Sequence, residues 1–332
     1  MANGIQTIKL NKLDLQIPLN GLFPDTLDQR KTDFLNLLRS PSDKAKFKRY
    51  SKTPLRYAGG KTLAVGLIIE KIPTNIKRLV SPFFGGGSVE VACALELGIP
   101  VVGYDVFDIL TNYWQIQLKS PGLLSKGLLK FAPTRKGFVE VKEKLKKHWK
   151  NESKLDPLNL AAHYYFNHNT SYGPHFLGSP SSVYLQEQRY KKMVDKVANF
   201  KVPNMQVKCA SFEKIIPKHN SDFLYCDPPY YLDGDSKTFV GMYPHRNFPI
   251  HHKGFDHKKL SELLKKHKGG FVLSYNDCSM IREWYKEFDM STPKWQYTFS
   301  QGDTRIGENR LKNNNGSHVK KSHELLIWRM PK

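Results

Sequence analysis

The sequence predicts an α/β fold in which a mixed, mostly parallel sheet is flanked by helices and interrupted by a mainly helical insertion. Short apolar runs of strand length, bounded by glycine, proline or acidic residues, occur at Arg78 to Phe84, Val101 to Tyr104, Val207 to Cys209, Phe223 to Cys226 and Gly270 to Tyr275. Helical patterns at Leu63 to Ile72, Val89 to Leu97 and Phe212 to Ile216 fall before or between them, the alternation expected of parallel strands joined by crossover helices. From about Tyr113 to Phe200 the alternation stops, and apolar residues recur at helical spacing instead. Further strands are expected at Lys294 to Ser300 and Glu324 to Trp328.

A chain of 332 residues can bury a full core as one large domain or two smaller ones. Its 52 Lys and Arg against 30 Asp and Glu give a net charge of +22. An excess of that size favours a polyanionic partner, nucleic acid first. The four cysteines, Cys93, Cys209, Cys226 and Cys278, lie far apart and form no C-x-x-C pair, which argues against a zinc site and a disulfide framework. No apolar run approaches the roughly 20 residues that span a bilayer. The opening residues lack the basic-then-apolar order of a signal peptide, so a cytoplasmic protein with no membrane partner is expected.

Residues 1–50 read as an N-terminal extension whose basic end, Lys44 to Tyr50, suits phosphate contact or a solvated surface. Pro54 to Thr62 follows as PLRYAGGKT. A phosphate loop would need a glycine where Leu55 stands, so the segment is read instead as an aromatic, two glycines and a lysine at the mouth of a helix, a place for an anion. The strand at Arg78 to Phe84 ends in PFFGGGSVE, a glycine turn that lets backbone approach a ligand closely before the next helix begins. Asp105 ends the second strand about twenty residues beyond, where a carboxylate accepts both ribose hydroxyls of a bound nucleoside. These features imply a ligand containing adenosine or a similar nucleoside.

In the insertion, Phe138, Val141, Leu145 and Trp149 make an apolar stripe, while lysines crowd the other positions. Tyr164 to Ser182 reads as a polar, aromatic loop or hairpin in which Asn167, Asn169, Ser171 and Tyr172 are types that contact bases or phosphates, or merely line a surface. The next strand leads into Asp227, Pro228, Pro229 and Tyr230. Two prolines fix the backbone and donate no hydrogen bond, so carbonyls cluster beside the Asp227 carboxylate and a tyrosine face. Such a set suits an amino group on an aromatic ring. Leu232 to Gly254, with His245, His251 and His252, is expected to be a lid or binding segment. A basic loop around Arg305 and Lys312 suits a nucleic-acid backbone.

With these residues in place, the chain resembles the Dam-type DNA adenine methyltransferases. The likeness is carried, in order, by Arg56-Tyr57-Ala58-Gly59-Gly60-Lys61, Pro82-Phe83-Phe84-Gly85-Gly86-Gly87-Ser88, Asp105 and Asp227-Pro228-Pro229-Tyr230, and it covers most of residues 53–329. It implies a Rossmann-like methyltransferase core formed by residues 51–115 and 201–332, with an inserted target-recognition domain at 116–200. It also implies S-adenosylmethionine as methyl donor, held by Arg56, Tyr57, Gly59, Lys61, Phe83, Gly85, Gly87, Ser88, Asp105 and Phe212. Asp227, Pro228, Pro229 and Tyr230 would act on an adenine flipped from double-stranded DNA, and Asn167, Asn169, Tyr172, Arg305 and Lys312 would contact the DNA.

Two departures from the family pattern stand out. Ser211 occupies the place of a carboxylate that contacts the donor's adenine, and Ser81 stands where an acidic or apolar residue precedes the Pro-Phe pair. The same acceptor geometry would serve the amino group of cytosine or of a protein glutamine, although the charge argues against a protein substrate. A restriction-modification setting, with a cognate endonuclease acting separately, is compatible with the resemblance.

Overall fold

The computed structural model describes residues 26–41, 46–231, 254–293 and 324–331. A seven-stranded sheet organises them, with β1 (Leu79–Ser81), β2 (Val101–Asp105), β3 (Met205–Cys209), β4 (Phe223–Cys226), β5 (Phe271–Asn276), β6 (Asp289–Ser291) and β7 (Glu324–Arg329) in the order β3-β2-β1-β4-β5-β7-β6. The first five strands pair in parallel, whereas β7 runs antiparallel to both β5 and β6. This is the expected mixed, mostly parallel sheet. Strands β1 and β4 are buried at every residue because helices cover both faces, which is why they read as continuous apolar runs.

Neighbouring residues of β1 serve opposite faces, as the two-residue period of a strand requires. Leu79 joins a cluster with Ile68, Val89 and Trp114 from α2 (Val65–Glu70), α3 (Ser88–Leu95) and α4 (Asp108–Lys119). Val80 joins Phe212, Ile216, Leu260 and Tyr275, which draws α9 (Phe212–Lys218) and α10 (His257–Lys266) onto the other face.

The chain leaves the sheet after β2 and returns at β3. Between lie α5 (Pro121–Leu128), α6 (Arg135–Trp149), α7 (Pro157–Thr170) and α8 (Glu187–Ala198). Helix α7 is the hub, in contact with α4, α5 and α6. Asp156 caps it by accepting from the amides of Leu158 and Asn159 at 3.1 Å, and Pro157 supplies a fixed first-turn φ. The loop expected from Tyr164 is therefore corrected: the helix runs on to Thr170. Only beyond it does the chain turn back, with Ser171 bridging Pro180. Polar composition suggested a loop, but α7 is enclosed on several sides and its polar residues from His163 to Thr170 are buried with the rest.

Helix α1 (Leu27–Leu38) packs on α2 through Phe34 and Leu38, and Phe47 lies over Gly66 so closely that a Cβ there would sit 2.3 Å from its ring. No helix among the described residues is long and apolar enough to cross a membrane. The expected strand at Lys294 to Ser300, His245, His251 and His252 lie outside the described residues.

Candidate active site

The sheet order reverses direction at β1 and β4, which pair directly in parallel register, Leu79 with Phe223 and Val80 with Leu224. Loops leaving the carboxyl ends of these two strands flank the crevice where α/β sheets place ligands. The glycine turn follows β1, and Asp227 to Tyr230 follows β4.

The glycine turn is pinned from below. Gly85 and Gly87 hold φ values of 48° and 65°, the left-handed region that a side chain disfavours. The Gly87 amide closes on the Phe84 carbonyl at 2.9 Å. Phe84 points into the core, where its ring fills the space beside Gly103 and Gly87 and meets the Trp114 ring edge-on at 5.1 Å. The Trp114 indole donates to the Gly85 carbonyl at 2.9 Å. The Gly85 amide donates to Asp105 Oδ2 at 3.0 Å, and Phe107 donates to Oδ1 at 3.0 Å. Burial raises the pKa of Asp105 in spite of those amide bonds, which favour its charged form.

Tyr57 stands over this turn: a Cβ on Gly86 would lie 2.5 Å from the Tyr57 Cβ. Its ring also stacks on His168, at 5.8 Å and 22°. Burial pushes the His168 pKa down to about 3, so the imidazole is a neutral, flat partner. Arg56 turns away from the glycines. Its guanidinium donates to the carbonyls of Asn169 and Ser171 at 2.6 and 3.2 Å and lies 3.4 Å over the Tyr184 ring.

Asn169 accepts from the Arg56 amide at 3.1 Å and donates to the Pro54 carbonyl at 3.1 Å. It is fully buried, as is Asn167. The expectation that these two asparagines touch DNA is corrected for this conformation, because Asn169 ties α7 to the segment at residues 54–56 that enters the site, and neither side chain reaches the surface. Tyr172, by contrast, is 78% exposed. Arg305 and Lys312 lie outside the described residues.

Opposite the glycine turn, Lys61 Nζ sits 2.5 Å from Asp227 Oδ1 and 3.1 Å from the Gly59 carbonyl. Burial raises the Asp227 pKa, and Lys61 opposes the rise. Lys61 also lies 5.0 Å over the Tyr230 ring. Tyr230 is anchored by its hydroxyl, which donates to Glu324 Oε2 at 2.5 Å from the start of β7. Phe83 and Phe212 approach to 5.4 Å, and Phe255 closes the group at 5.6 and 5.0 Å from them. These three rings form an apolar wall suited to a flat base. Ser211 caps α9, accepting from the Glu213 amide and donating to the Glu213 carboxylate at 3.0 Å. Its hydroxyl is thus engaged in the helix start.

Beneath the crevice, Ser81 donates to the buried Glu90 at 2.6 Å, and burial pushes the Glu90 pKa up to about 8. Sequence reasoning missed Glu90, Trp114, His168, Phe255 and Glu324. A signal existed for the last of these, since an acid heading the apolar run ELLIW needs a buried partner.

The arrangement joins a ribose-type carboxylate, a glycine turn, an aromatic wall and a carboxylate with adjacent proline carbonyls. It can hold a nucleoside-bearing donor beside an amino-bearing ring. The model of the D12 class N6 adenine-specific DNA methyltransferases matches residues 57–299. The chain is 24% identical to the type II methyltransferase M.FokI of Planomicrobium okeanokoites, over 80% of this chain and 43% of that protein. It is 24% identical to the retron Ec67 DNA adenine methylase of Escherichia coli, over 71% of this chain and 81% of that protein. With the type II methyltransferase M.MjaIII of Methanocaldococcus jannaschii it shares 26% identity over 53% and 68% of the two chains. The chain thus spans less than half the length of M.FokI.

Proposed function

From a chain that belongs to the D12 class N6 adenine-specific DNA methyltransferase family, we propose an enzyme that transfers a methyl group from S-adenosylmethionine to the N6 amino group of a flipped adenine in double-stranded DNA. The observation that carries this reading is the meeting of two loops. The glycine turn after β1 and Asp227 to Tyr230 after β4 leave adjacent parallel strands at the same end, with Asp105 and Lys61 beside them.

The residues present fit the donor. Gly85 and Gly87 keep side chains away from the turn, Asp105 is held at the end of β2 to face ribose hydroxyls, and Phe83, Phe212 and Phe255 wall a space for the adenine ring. Tyr57, Gly59, Lys61 and Ser88 border the same turn or its opposite rim. Arg56 braces Tyr57 through α7. When bound, S-adenosylmethionine supplies a methyl group on a cationic sulfur.

The chain's own part lies in the acceptors. An aromatic amino nitrogen is a poor nucleophile because its lone pair is delocalised into the ring. Asp227 and the Pro228 carbonyl accept its two N–H bonds, which favours a tetrahedral nitrogen with the lone pair localised. A carboxylate offers about four lone pairs, so the bond from Lys61 does not exhaust Asp227, which is also placed to take the proton the nitrogen sheds. Pro229 keeps the turn rigid, and Tyr230 offers its face to the flipped base, an interaction of about 1–3 kcal/mol per base. Positioning and fixed charge supply most of the acceleration.

The helices at 116–200 are proposed to read the target, with Tyr172 at their exposed turn. The likeness to two type II methyltransferases supports a restriction-modification setting with a separately acting endonuclease. The test is Asp227→Ala. Methyl transfer should fall by ~10²-fold or more, the scale of a positioned proton acceptor, while calorimetric binding of S-adenosylmethionine persists. Full transfer in that variant overturns the mechanism. Mass analysis of nucleosides from treated DNA should give N6-methyladenine, and N4-methylcytosine would reassign the base.

A further inference from the structure

A cleft of about 430 Å³ opens between the segment entering the site, residues 53–56, and one face of α8. Its cations are Arg56, Arg189, Lys192 and Lys196, and no carboxylate lines it among the described residues. Arg189, Lys192 and Lys196 recur three and four residues apart, so the helix period stacks them on one side. Two of the four are tied to neutral groups: Arg56 to the carbonyls of Asn169 and Ser171, and Lys196 to the carbonyl of Ser51. Carbonyl oxygens satisfy N–H donors but cancel no charge. Burial depresses the pKa of both Arg56 and Lys196, and among the described residues no carboxylate at the cleft offsets it. Arg189 and Lys192 are exposed on the outer lip.

We infer that this cleft is a docking site for the phosphate backbone of the DNA substrate, with Arg189 and Lys192 as the phosphate contacts and Arg56, over the Tyr184 ring, as its floor. The inference rests on the function proposed above. Three features favour a nucleic-acid strand over a small anion. The stripe from Arg189 to Lys196 extends roughly 10 Å at the α-helical rise, while one DNA strand presents a phosphate about every 3.4 Å along the axis, so the stripe meets a row of charges. Tyr184 adds a flat surface beside the cations. Arg56, in the inner wall, immediately precedes Tyr57, which lies against the glycine turn, so the cleft and the active-site loop share one short segment of chain.

The test measures the affinity of the full chain for a fluorescently labelled duplex over a series of salt concentrations. Arg189→Gln/Lys192→Gln should bind more weakly and lower the slope of log affinity against log salt by roughly 2, at about 0.9 for each phosphate no longer neutralised. Its melting temperature and its S-adenosylmethionine affinity should match the wild type, because both side chains are exposed. A control of equal charge, Lys265→Gln/Lys266→Gln on α10, should change the slope less. An unchanged slope in the first variant, or an equal fall in the control, overturns the docking site while leaving a wild-type enzyme that methylates DNA. A wild-type chain that neither binds nor methylates duplex DNA overturns the function on which the site rests.

Discussion

Lys61 and Asp227 stand 166 residues apart in the chain and 2.5 Å apart in space, with the lysine side chain 3% exposed and the carboxylate 21% exposed. The pair couples the segment over the glycine turn to the acceptor loop, and it sets the protonation of the acceptor. The ionised carboxylate is the stronger acceptor for an amino N–H beside the Lys61 bond, and only that form can take the proton the nitrogen sheds.

Burial holds the Asp227 pKa above the ordinary aspartate value, and Lys61 pulls it back down. The accepting form exists above that pKa, so kcat/KM should fall as pH drops through a range higher than the usual carboxylate value of about 3.9. In Lys61→Met the opposing charge is gone, and the acid limb should move to still higher pH. Initial rates of methyl transfer to duplex DNA across pH measure this. An acid limb in the same place in both proteins would remove Lys61 from any role in tuning the acceptor.

Gly86 and Gly103 give opposite outcomes for the same added methyl. A Cβ on Gly86 would sit 2.5 Å from the Tyr57 Cβ, at the rim of the donor pocket. Gly86→Ala should displace Tyr57 and weaken S-adenosylmethionine binding by about tenfold or more, equivalent to about 1.4 kcal/mol, with little change in melting temperature. A Cβ on Gly103 would sit 2.0 Å from Phe84, deep beneath the turn. Gly103→Ala should therefore destabilise the fold by about 1–3 kcal/mol through overpacking. Calorimetric titration and thermal unfolding of both variants separate the two effects, and equal losses of binding and stability in each would contradict the assignment.

Tyr230 is held by Glu324, so its orientation depends on a residue at the far end of the chain. Tyr230→Ala should raise the KM for DNA, the loss being ~1–3 kcal/mol if base stacking is removed. Glu324→Gln keeps the ring and weakens only the anchor, so its KM should lie between the two. Steady-state kinetics with one duplex substrate decide it, and a wild-type KM in Tyr230→Ala would discard the stacking face.

What the sequence disclosed followed from local physics. Strands β1, β2, β4 and β5 were legible because buried parallel strands are short apolar runs with glycine, proline or acidic ends. Strand β6, Asp289–Ser291, carries no such run and exists because β7 offers it an edge. Asn167, His168 and Asn169 were misread as loop because polar types normally seek water, whereas α7 encloses them. The position of Lys61 at the mouth of a helix suggested an anion, and the anion turned out to be Asp227, a contact that no sequence spacing encodes. Ser81 was opaque for a similar reason: its partner, Glu90, comes from the helix after the turn.

Ser81 and Glu90 also make the stability of the fold depend on pH. Glu90 lies on α3, buried, and its pKa is pushed up to about 8 by burial, with the Ser81 hydroxyl pulling the other way. At neutral pH it is therefore held protonated, which keeps a second carboxylate from competing with Asp227 for Lys61. In the unfolded chain Glu90 titrates near the ordinary value of about 4.3. A folded pKa above the unfolded one stabilises the fold fully below the unfolded value, and that stabilisation is lost as pH rises through the folded value. Between about pH 5 and pH 8 the wild type should thus lose stability at up to about 1.4 kcal/mol per pH unit from this group. Glu90→Gln keeps the size and an oxygen for the Ser81 hydroxyl but cannot ionise, so its melting temperature should fall less over the same window and exceed the wild type at pH 8. Ser81→Ala should shift the wild-type decline, because Glu90 loses the hydrogen bond that favours its charged form. Parallel stability curves for wild type and Glu90→Gln would show that Glu90 does not titrate in this range.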